Sequence, residues 1–207
     1  LGVHLGMTGS LSVEASDYQI SKHDALLLRQ NKQTLVFRDP RQFGRLRLEV
    51  IKTEPDWWKN LPPSMTDVRF DPNFLAHTLK KHAKRPLKAL LLDQRYFQGM
   101  GNWMADEVLW RAKLHPAHLA GKVNRSQVKR LFDEIIFVVR GAMDSVGTHG
   151  GDPPRGWLFH ARWKDGGLCP KTQKPLSREQ VGGRTSCWCP FIQRLPSTQR
   201  GESNSKA

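Results

Sequence analysis

The spacing of hydrophobic and polar positions changes along the chain. Between residues 1 and 50, short apolar runs are bounded by Gly, Asn or Pro, in the segments GVHLGMTGSLSV, DALLLRQ, TLVFRD and GRLRLEV. Runs of this length and punctuation are typical of β-strands. We therefore assign residues 1–52 to a predicted sheet lobe.

From residue 71 onward, the apolar positions recur at helical spacing. Asp71 can cap a first helix that has Pro72 at its first position. A second short helix covers Leu87–Leu92, a third begins after Gly101, and a fourth begins at Ser126. The fourth helix is predicted to carry one buried apolar stripe, made of Leu131, Ile135, Val138, Val139 and Met143. The four helices predict a helical domain over residues 65–150.

The remaining segments connect or follow these two regions. Residues 53–64 are rich in Pro and bulky aromatics and are predicted to link the lobes. Residues 151–196 return to aromatic, Gly-punctuated segments that suit a β-hairpin, and residues 197–207 form a polar tail that we expect to be disordered. The predicted fold class is α+β.

The chain is strongly basic. Its 33 Lys and Arg outnumber 19 Asp and Glu, which gives a formal charge of +14 in 207 residues. Such an excess indicates a polyanionic partner, and nucleic acid is the leading one. A membrane is not expected, because the chain has no apolar run of about 18 residues. An odd number of cysteines, three, favours a reducing compartment.

A glycine-rich break separates two apolar helical segments within QGMGNWMADEVLWRAKLHP, residues 98–116. Gly99, Gly101 and Asn102 stand directly before the third helix, where free backbone N–H groups can hold an anion. The alternative is a plain glycine turn with Asn102 as the helix N-cap. Asp106 and Glu107 occupy successive helical positions about 100° apart. We expect them to offset nearby basic residues or to favour the helix start, rather than to form an acidic active site.

Four segments, in this order, resemble the formamidopyrimidine-DNA glycosylase (Fpg/Nei) family of base-excision repair enzymes: HLGMTGSL, DPRQFGRL, QGMGNWMADEVLWRAKLHP and GGRTSCWCPFIQ. The resemblance implies a partial β-sandwich lobe, a helix-two-turns-helix lobe and a C-terminal β-hairpin finger, with DNA bound between the lobes. It further implies a DNA glycosylase and AP lyase that removes oxidised bases. The expected partner is double-stranded DNA with oxidised bases or abasic sites, and no cofactor is expected.

The resemblance also assigns DNA-binding residues. Met7, Arg41 and Phe43 match the family's three residues that fill the void left by an everted base. The alternative is that Met7 and Phe43 are core residues. Gly101, Asn102 and Arg184 match positions that bind backbone phosphates. An arginine suits this role through its bidentate guanidinium group.

The finger departs from the zinc-binding pattern of bacterial relatives, which have two C-x₂-C pairs. Here Cys169 is followed by Thr172 at the second ligand position, and Cys189 by Ile192 at the fourth. We predict a zincless finger, as in the plant and fungal branches that this chain resembles. An unusual site completed by His149 and His160 is the alternative.

The family's catalytic residues have no counterpart in these 207 residues. The resemblance implies an N-terminal proline nucleophile followed by a glutamate, whereas this chain begins with Leu1 and has no proline before Pro40. We expect a fragment, an alternative product or an incompletely predicted gene, inactive as given but able to bind DNA. Lys22 and Lys32 could supply a substitute amine, although we expect both to be solvated.

Two further functional interpretations remain open. The chain could be a non-catalytic damaged-DNA-binding protein, or it could bind RNA through its helical domain, which would leave HLGMTGSL and the finger unexplained. The basic run KKHAKR indicates a nuclear protein, or a cytoplasmic one if the source is prokaryotic. We expect a monomer.

Overall fold

The computed structural model describes residues 1–148 and 150–196, which divide into two compact units. The first comprises residues 1–60, and the second begins at Leu61, within the predicted linker. His149 and the predicted tail, residues 197–207, lie outside the described residues. In the described part, no helix is long and apolar enough to cross a bilayer.

Unit 1 consists of two small antiparallel sheets. Its strands are β1 (Gly2–His4), β2 (Ser10–Ala15), β3 (Asp24–Arg29), β4 (Gln33–Arg38) and β5 (Arg45–Arg47). Strand β1 pairs with β5, and β4 lies between β2 and β3. Val36 and Phe37 of the central strand β4 are buried. The strand-rich character of this region is confirmed, but the first predicted segment forms two strands separated by a loop at residues 5–9. A short helix α1 (Asp56–Lys59) follows.

Unit 2 contains the predicted helices. They are α2 (Pro72–Lys81), α3 (Leu87–Leu91), α4 (Asn102–Arg111) and α5 (Arg125–Ala142). Asp71 caps α2 as expected, since its Oδ1 accepts a hydrogen bond from Phe74 N at 2.7 Å. The fourth helix begins one residue earlier than Ser126, because Asn124 and Gln127 form a capping box at its N-terminus. Short 3₁₀ turns cover Ala120–Lys122 and Leu158–His160.

The apolar stripe of α5 is confirmed for all but its last member. Leu131, Ile135, Val138 and Val139 are buried, whereas Met143 is 55% exposed. Met143 begins a π-helical segment, Met143–Thr148, in which the turn is wider than in an α-helix. A wider turn shifts the side chains out of phase with the preceding stripe, so the prediction for Met143 was wrong.

The hairpin predicted for the C-terminal region is formed by β6 (Ser177–Val181) and β7 (Arg184–Trp188). Gly182 and Gly183 make a two-residue turn with φ angles of 62° and 77°. Residues other than glycine rarely adopt such backbone angles. The turn approaches α3 so closely that a Cβ on Gly182 would lie 2.5 Å from Ala89 Cβ. The hairpin therefore packs against the helices as part of unit 2.

Candidate nucleic-acid interface

The residues at the N-terminus of α4 are half-buried. Gly101 is its N-cap residue, and no described side chain caps the helix. Asn102 is the first helical residue, so the alternative in which Asn102 caps the helix is wrong. Nothing described lies within 4 Å of the place where a Cβ on Gly101 would stand. The first backbone N–H groups of α4 therefore have no side-chain cap, and an anion could accept hydrogen bonds from them.

Gln94 holds the turn that precedes this helix. Its Oε1 accepts a hydrogen bond from Gly99 N at 2.8 Å, and its Nε2 donates to Met100 O at 3.0 Å. Gly99 has a φ of 78°, in the region that favours glycine. The position of Gly101 is thus set by hydrogen bonds to a side chain as well as by the helix itself.

Asn102 joins α4 to the hairpin. Its Nδ2 donates a hydrogen bond to Thr185 O at 3.0 Å, and the amide keeps a second N–H for another acceptor. Arg184, the residue before Thr185, is exposed at the first position of β7. Two residues predicted to bind phosphate, Asn102 and Arg184, therefore lie on directly connected elements.

A buried ionic cluster, which sequence reasoning missed, lies one turn further along α4. It consists of Lys88, Asp106 and Arg162, of which Asp106 accepts hydrogen bonds from both cations. Burial lowers the pKa of Lys88 to about 8, although the charge of Asp106 opposes this shift. Burial, followed by the charge of Asp106, raises the pKa of the Cys187 thiol to about 11. The expectation that Asp106 offsets basic residues is confirmed.

Glu107 points to a different set of partners. Its Oε2 accepts a hydrogen bond from Phe159 N at 3.2 Å, and its Oε1 lies 3.5 Å from Arg111 Nη1. Burial raises the pKa of Glu107 to about 7, while Phe159 N–H and Arg111 act in the opposite direction. Arg111 is shared with Glu134, whose Oε2 lies 2.7 Å from Arg111 Nε. Glu107 is therefore a buried carboxyl with incomplete charge compensation.

In unit 1, the predicted void-filling residues lie on two loops in contact. Met7 is 70% exposed and Phe43 is 52% exposed, so the alternative that they are core residues is wrong. The Arg41 guanidinium lies 4.9 Å from the centre of the Phe43 ring. A Cβ on Gly6 would stand 2.7 Å from the Phe43 carbonyl carbon, which shows how closely the loops approach. An arginine and two apolar side chains are thus presented together.

A cavity of about 410 Å³ lies between α4 and α5. Its walls are mainly apolar and include two aromatic or sulfur-containing residues of α4, Trp103 and Met104. Val146 and Gly147 of the π-helical segment also line it, and Gly147 is the first residue of the Gly- and Pro-rich segment 147–156. We call it the α4–α5 cavity. One of its lining residues, Trp103, directly follows Asn102 in α4.

The finger contains three buried thiols, those of Cys169, Cys187 and Cys189. Cys169 Sγ lies 3.3 Å from Trp110 Nε1, and Cys189 Sγ lies 3.4 Å from Thr172 Oγ1. Burial alone would raise the pKa of Cys169, but hydrogen bonds from Thr172, Trp110 and Cys189 lower it. Within residues 1–148 and 150–196, no group of three or more His, Cys, Asp or Glu side chains could hold a metal ion. A threonine hydroxyl and an isoleucine do not complete a structural zinc site.

The two lysines considered as possible nucleophiles are on the surface. Lys22 and Lys32 are exposed, as expected. His160, proposed as an alternative metal ligand, places Nε2 2.8 Å from Pro153 O, and His149 lies outside the described residues. The geometry brings none of these residues into a reactive cluster.

The fold and the site together define a helix-two-turns-helix protein. Residues 61–150 match the formamidopyrimidine-DNA glycosylase H2TH domain, and residues 1–46 match the formamidopyrimidine-DNA glycosylase N-terminal domain. A formamidopyrimidine-DNA glycosylase of Roseiflexus sp. is 34% identical over 94% of this chain and 74% of its own length. The enzyme of Thermus thermophilus is 34% identical over 93% of this chain and 74% of its own length. The chain belongs to the formamidopyrimidine-DNA glycosylase family.

Solved structures give the same relationship. MutM in complex with DNA containing carbocyclic 8-oxo-G superposes with a TM-score of 0.77 at 29% identity, over 93% of this chain and 73% of that one. The Lactococcus lactis formamidopyrimidine-DNA glycosylase, non-covalently bound to DNA containing an AP site, superposes with a TM-score of 0.75 at 29% identity, with the same coverage.

Proposed function

We propose that this chain binds damaged duplex DNA as the DNA-binding body of a base-excision repair glycosylase. The observation that carries the proposal is the hydrogen bond between Asn102 Nδ2 and Thr185 O. It connects the uncapped N-terminus of α4 to the strand that begins with Arg184. A helix N-terminus and an exposed arginine are both suited to phosphate oxygens. The ligand is therefore a phosphodiester backbone, bound by Gly101, Asn102 and Arg184.

The void-filling assignment is supported by exposure and contact. Removing a base from the stack leaves a gap that a side chain must fill. Met7 and Phe43 are large apolar side chains that remain exposed, and such residues can wedge a base step. Arg41, which stacks on Phe43, offers hydrogen-bond donors to the base left without its partner. These three residues therefore act on the gap in the base stack and on the base opposite the lesion.

The α4–α5 cavity is our candidate for the pocket that receives the everted base. Its apolar and aromatic lining suits a flat heterocycle. Trp103, the residue after Asn102, lines the cavity, which supports this assignment because Asn102 is proposed to bind a phosphate. The preference among oxidised bases then depends on the Gly- and Pro-rich segment that begins with Gly147.

The proposed roles are tested by measuring binding of the 207-residue chain to a duplex with a stable abasic-site analogue. Six to ten phosphate contacts would lower the affinity by roughly 10³–10⁵-fold between 50 and 200 mM salt. Asn102→Ala and Arg184→Ala should weaken binding, and Arg69→Ala is the matched control because Arg69 is an exposed arginine already paired with Asp67. Equal effects of Arg184→Ala and Arg69→Ala would contradict the proposal.

The same chain is expected to bind without cutting. None of its first 39 residues is a proline, and the exposed lysines Lys22 and Lys32 lack the buried environment that activates an amine. Borohydride trapping on a duplex with an abasic site should therefore yield no covalent adduct. An adduct would show that an amine of this chain acts as the nucleophile. Salt-sensitive binding without an adduct corresponds to the non-catalytic damaged-DNA-binding interpretation for this polypeptide.

A further inference from the structure

The buried ionic cluster lies beneath the two elements assigned to phosphate binding. Asp106 accepts hydrogen bonds from Lys88 Nζ, from Arg162 Nη2 at 2.6 Å and Nε at 3.1 Å, and from Cys187 N at 3.1 Å. The Asp106 and Lys88 side chains are completely buried, and Arg162 is almost so. One carboxylate thus connects α3, α4, the segment at residue 162 and strand β7.

We propose that Asp106 is a positioning residue that holds Asn102 and Arg184 in a single geometry for adjacent DNA phosphates. The inference rests on the proposed function, because it assumes that these two residues bind phosphate. Asp106 does not itself face the ligand, since its oxygens are occupied by buried donors. It acts through the elements that carry Asn102 and Arg184.

The first half of the connection runs along α4. Asp106 follows Asn102 by four residues, so the two side chains lie on the same face of the helix, one turn apart. Lys88 Nζ donates both to Asp106 and to Asn102 O, the latter at 2.6 Å. The first turn of α4 is therefore attached to the cluster through its backbone as well as through its own helix.

The second half runs along the outer edge of β7. Thr185 O accepts from Asn102, and Cys187 N donates to Asp106. Backbone groups two residues apart in a strand face the same edge. Asn102 and Asp106, one turn apart on α4, therefore bond the backbone groups of β7 that a neighbouring strand would otherwise pair with. Arg184 adjoins the first of these contacts, so its position along β7 is fixed relative to Asn102.

Stability alone does not account for such a cluster. Replacing buried ion pairs by apolar side chains of similar size is often neutral or stabilising. The cluster does, however, impose directional hydrogen bonds that an apolar core cannot impose. Its two cations and one anion also leave a net positive charge beneath the helix N-terminus, which favours a phosphate there.

The decisive measurement is the salt dependence of binding to a duplex with a tetrahydrofuran abasic-site analogue, using the full 207-residue chain. For Asp106→Asn we expect the ratio of affinities at 50 and 200 mM salt to fall about 3.5-fold, since each lost phosphate contact removes about 0.9 from the salt slope. Arg184→Ala should give the same fall alone and no further fall when added to Asp106→Asn, because both changes remove the same phosphate contact.

Glu134→Gln is the matched control. It removes one negative charge, as Asp106→Asn does, from a carboxylate that pairs with Arg111 and does not contact the cluster. It should leave the salt slope unchanged. A folded Asp106→Asn chain with the same slope and affinity as Glu134→Gln would overturn the inference.

A second variant keeps the test decisive if Asp106→Asn does not fold. Arg162→Lys retains the positive charge but loses the two-pronged contact with Asp106. We expect a smaller fall in the same direction, with thermal unfolding confirming a folded chain. Wild-type binding by folded Arg162→Lys would count against a positioning role. Wild-type binding by Asn102→Ala and Arg184→Ala would instead refute the proposed function itself.

Discussion

Glu107 should make the stability of unit 2 depend on pH. Its side chain is completely buried, and burial raises its pKa from 4.5 to about 7. Between these two values, the folded chain binds more protons at this site than the unfolded chain does. The free energy of unfolding therefore falls as pH rises through this window, because the carboxyl ionises more readily in the unfolded chain.

The magnitude follows from the shift in pKa. With about 1.36 kcal/mol for each pKa unit, ionisation of Glu107 costs the folded state about 2–3 kcal/mol between pH 5 and pH 8.5. Glu107→Gln removes this cost, since the amide oxygen can still accept from Phe159 N and has no charge to bury. At pH 5 the wild-type carboxyl is mostly protonated in the folded state, so the two proteins should differ least there.

The assay is urea denaturation of wild type and Glu107→Gln at pH 5 and pH 8.5. Tryptophan fluorescence reports on unit 2, because five of the seven tryptophans follow residue 60 and only Trp57 and Trp58 precede it. The free energy of unfolding of the variant minus that of wild type should be about 2–3 kcal/mol larger at pH 8.5 than at pH 5. Histidines that titrate in the same pH range contribute equally to both proteins, so their contribution cancels in this difference. A difference that is equal at both pH values would refute the reasoning.

Three other predictions concern the interface and the finger. Gly101→Ala should fold with a loss below about 1 kcal/mol, because Gly101 has open space around it, yet weaken binding to abasic DNA. Normal binding by Gly101→Ala would contradict a close approach of phosphate to Gly101. Gly99→Ala is the contrasting variant and should unfold more easily, because the φ of 78° at this position strains an alanine. Arg41→Ala should weaken binding by an amount that depends on the base opposite the lesion, whereas equal losses for all four bases would exclude base recognition. Metal analysis of the purified chain should find no bound zinc, and one equivalent would disprove the zincless assignment.

Local patterns in the sequence determined most elements of the fold. Asp71 followed by Pro72 marks a helix start through chemistry confined to four residues, and the apolar period of α5 identifies its buried face. The glycine pair in β6–β7 likewise specifies a tight turn without reference to the rest of the chain. The family resemblance rests on contiguous segments in a set order, so it too was readable from sequence. Capping, periodicity and turn chemistry act over a few residues, which is why they can be recognised in this way.

Only the tertiary structure decided how the site is assembled. Nothing near Lys88 in the sequence points to Asp106, 18 residues away, or to Arg162, a further 56 residues on. Exposure of Met7 and Phe43 was equally undecided, because an apolar side chain after a strand can turn inward or outward. The sequence by itself determined the elements and the residue types that suit DNA. Which of those residues meet, and which charges are buried together, depended on packing between distant segments, whose geometry no local pattern encodes.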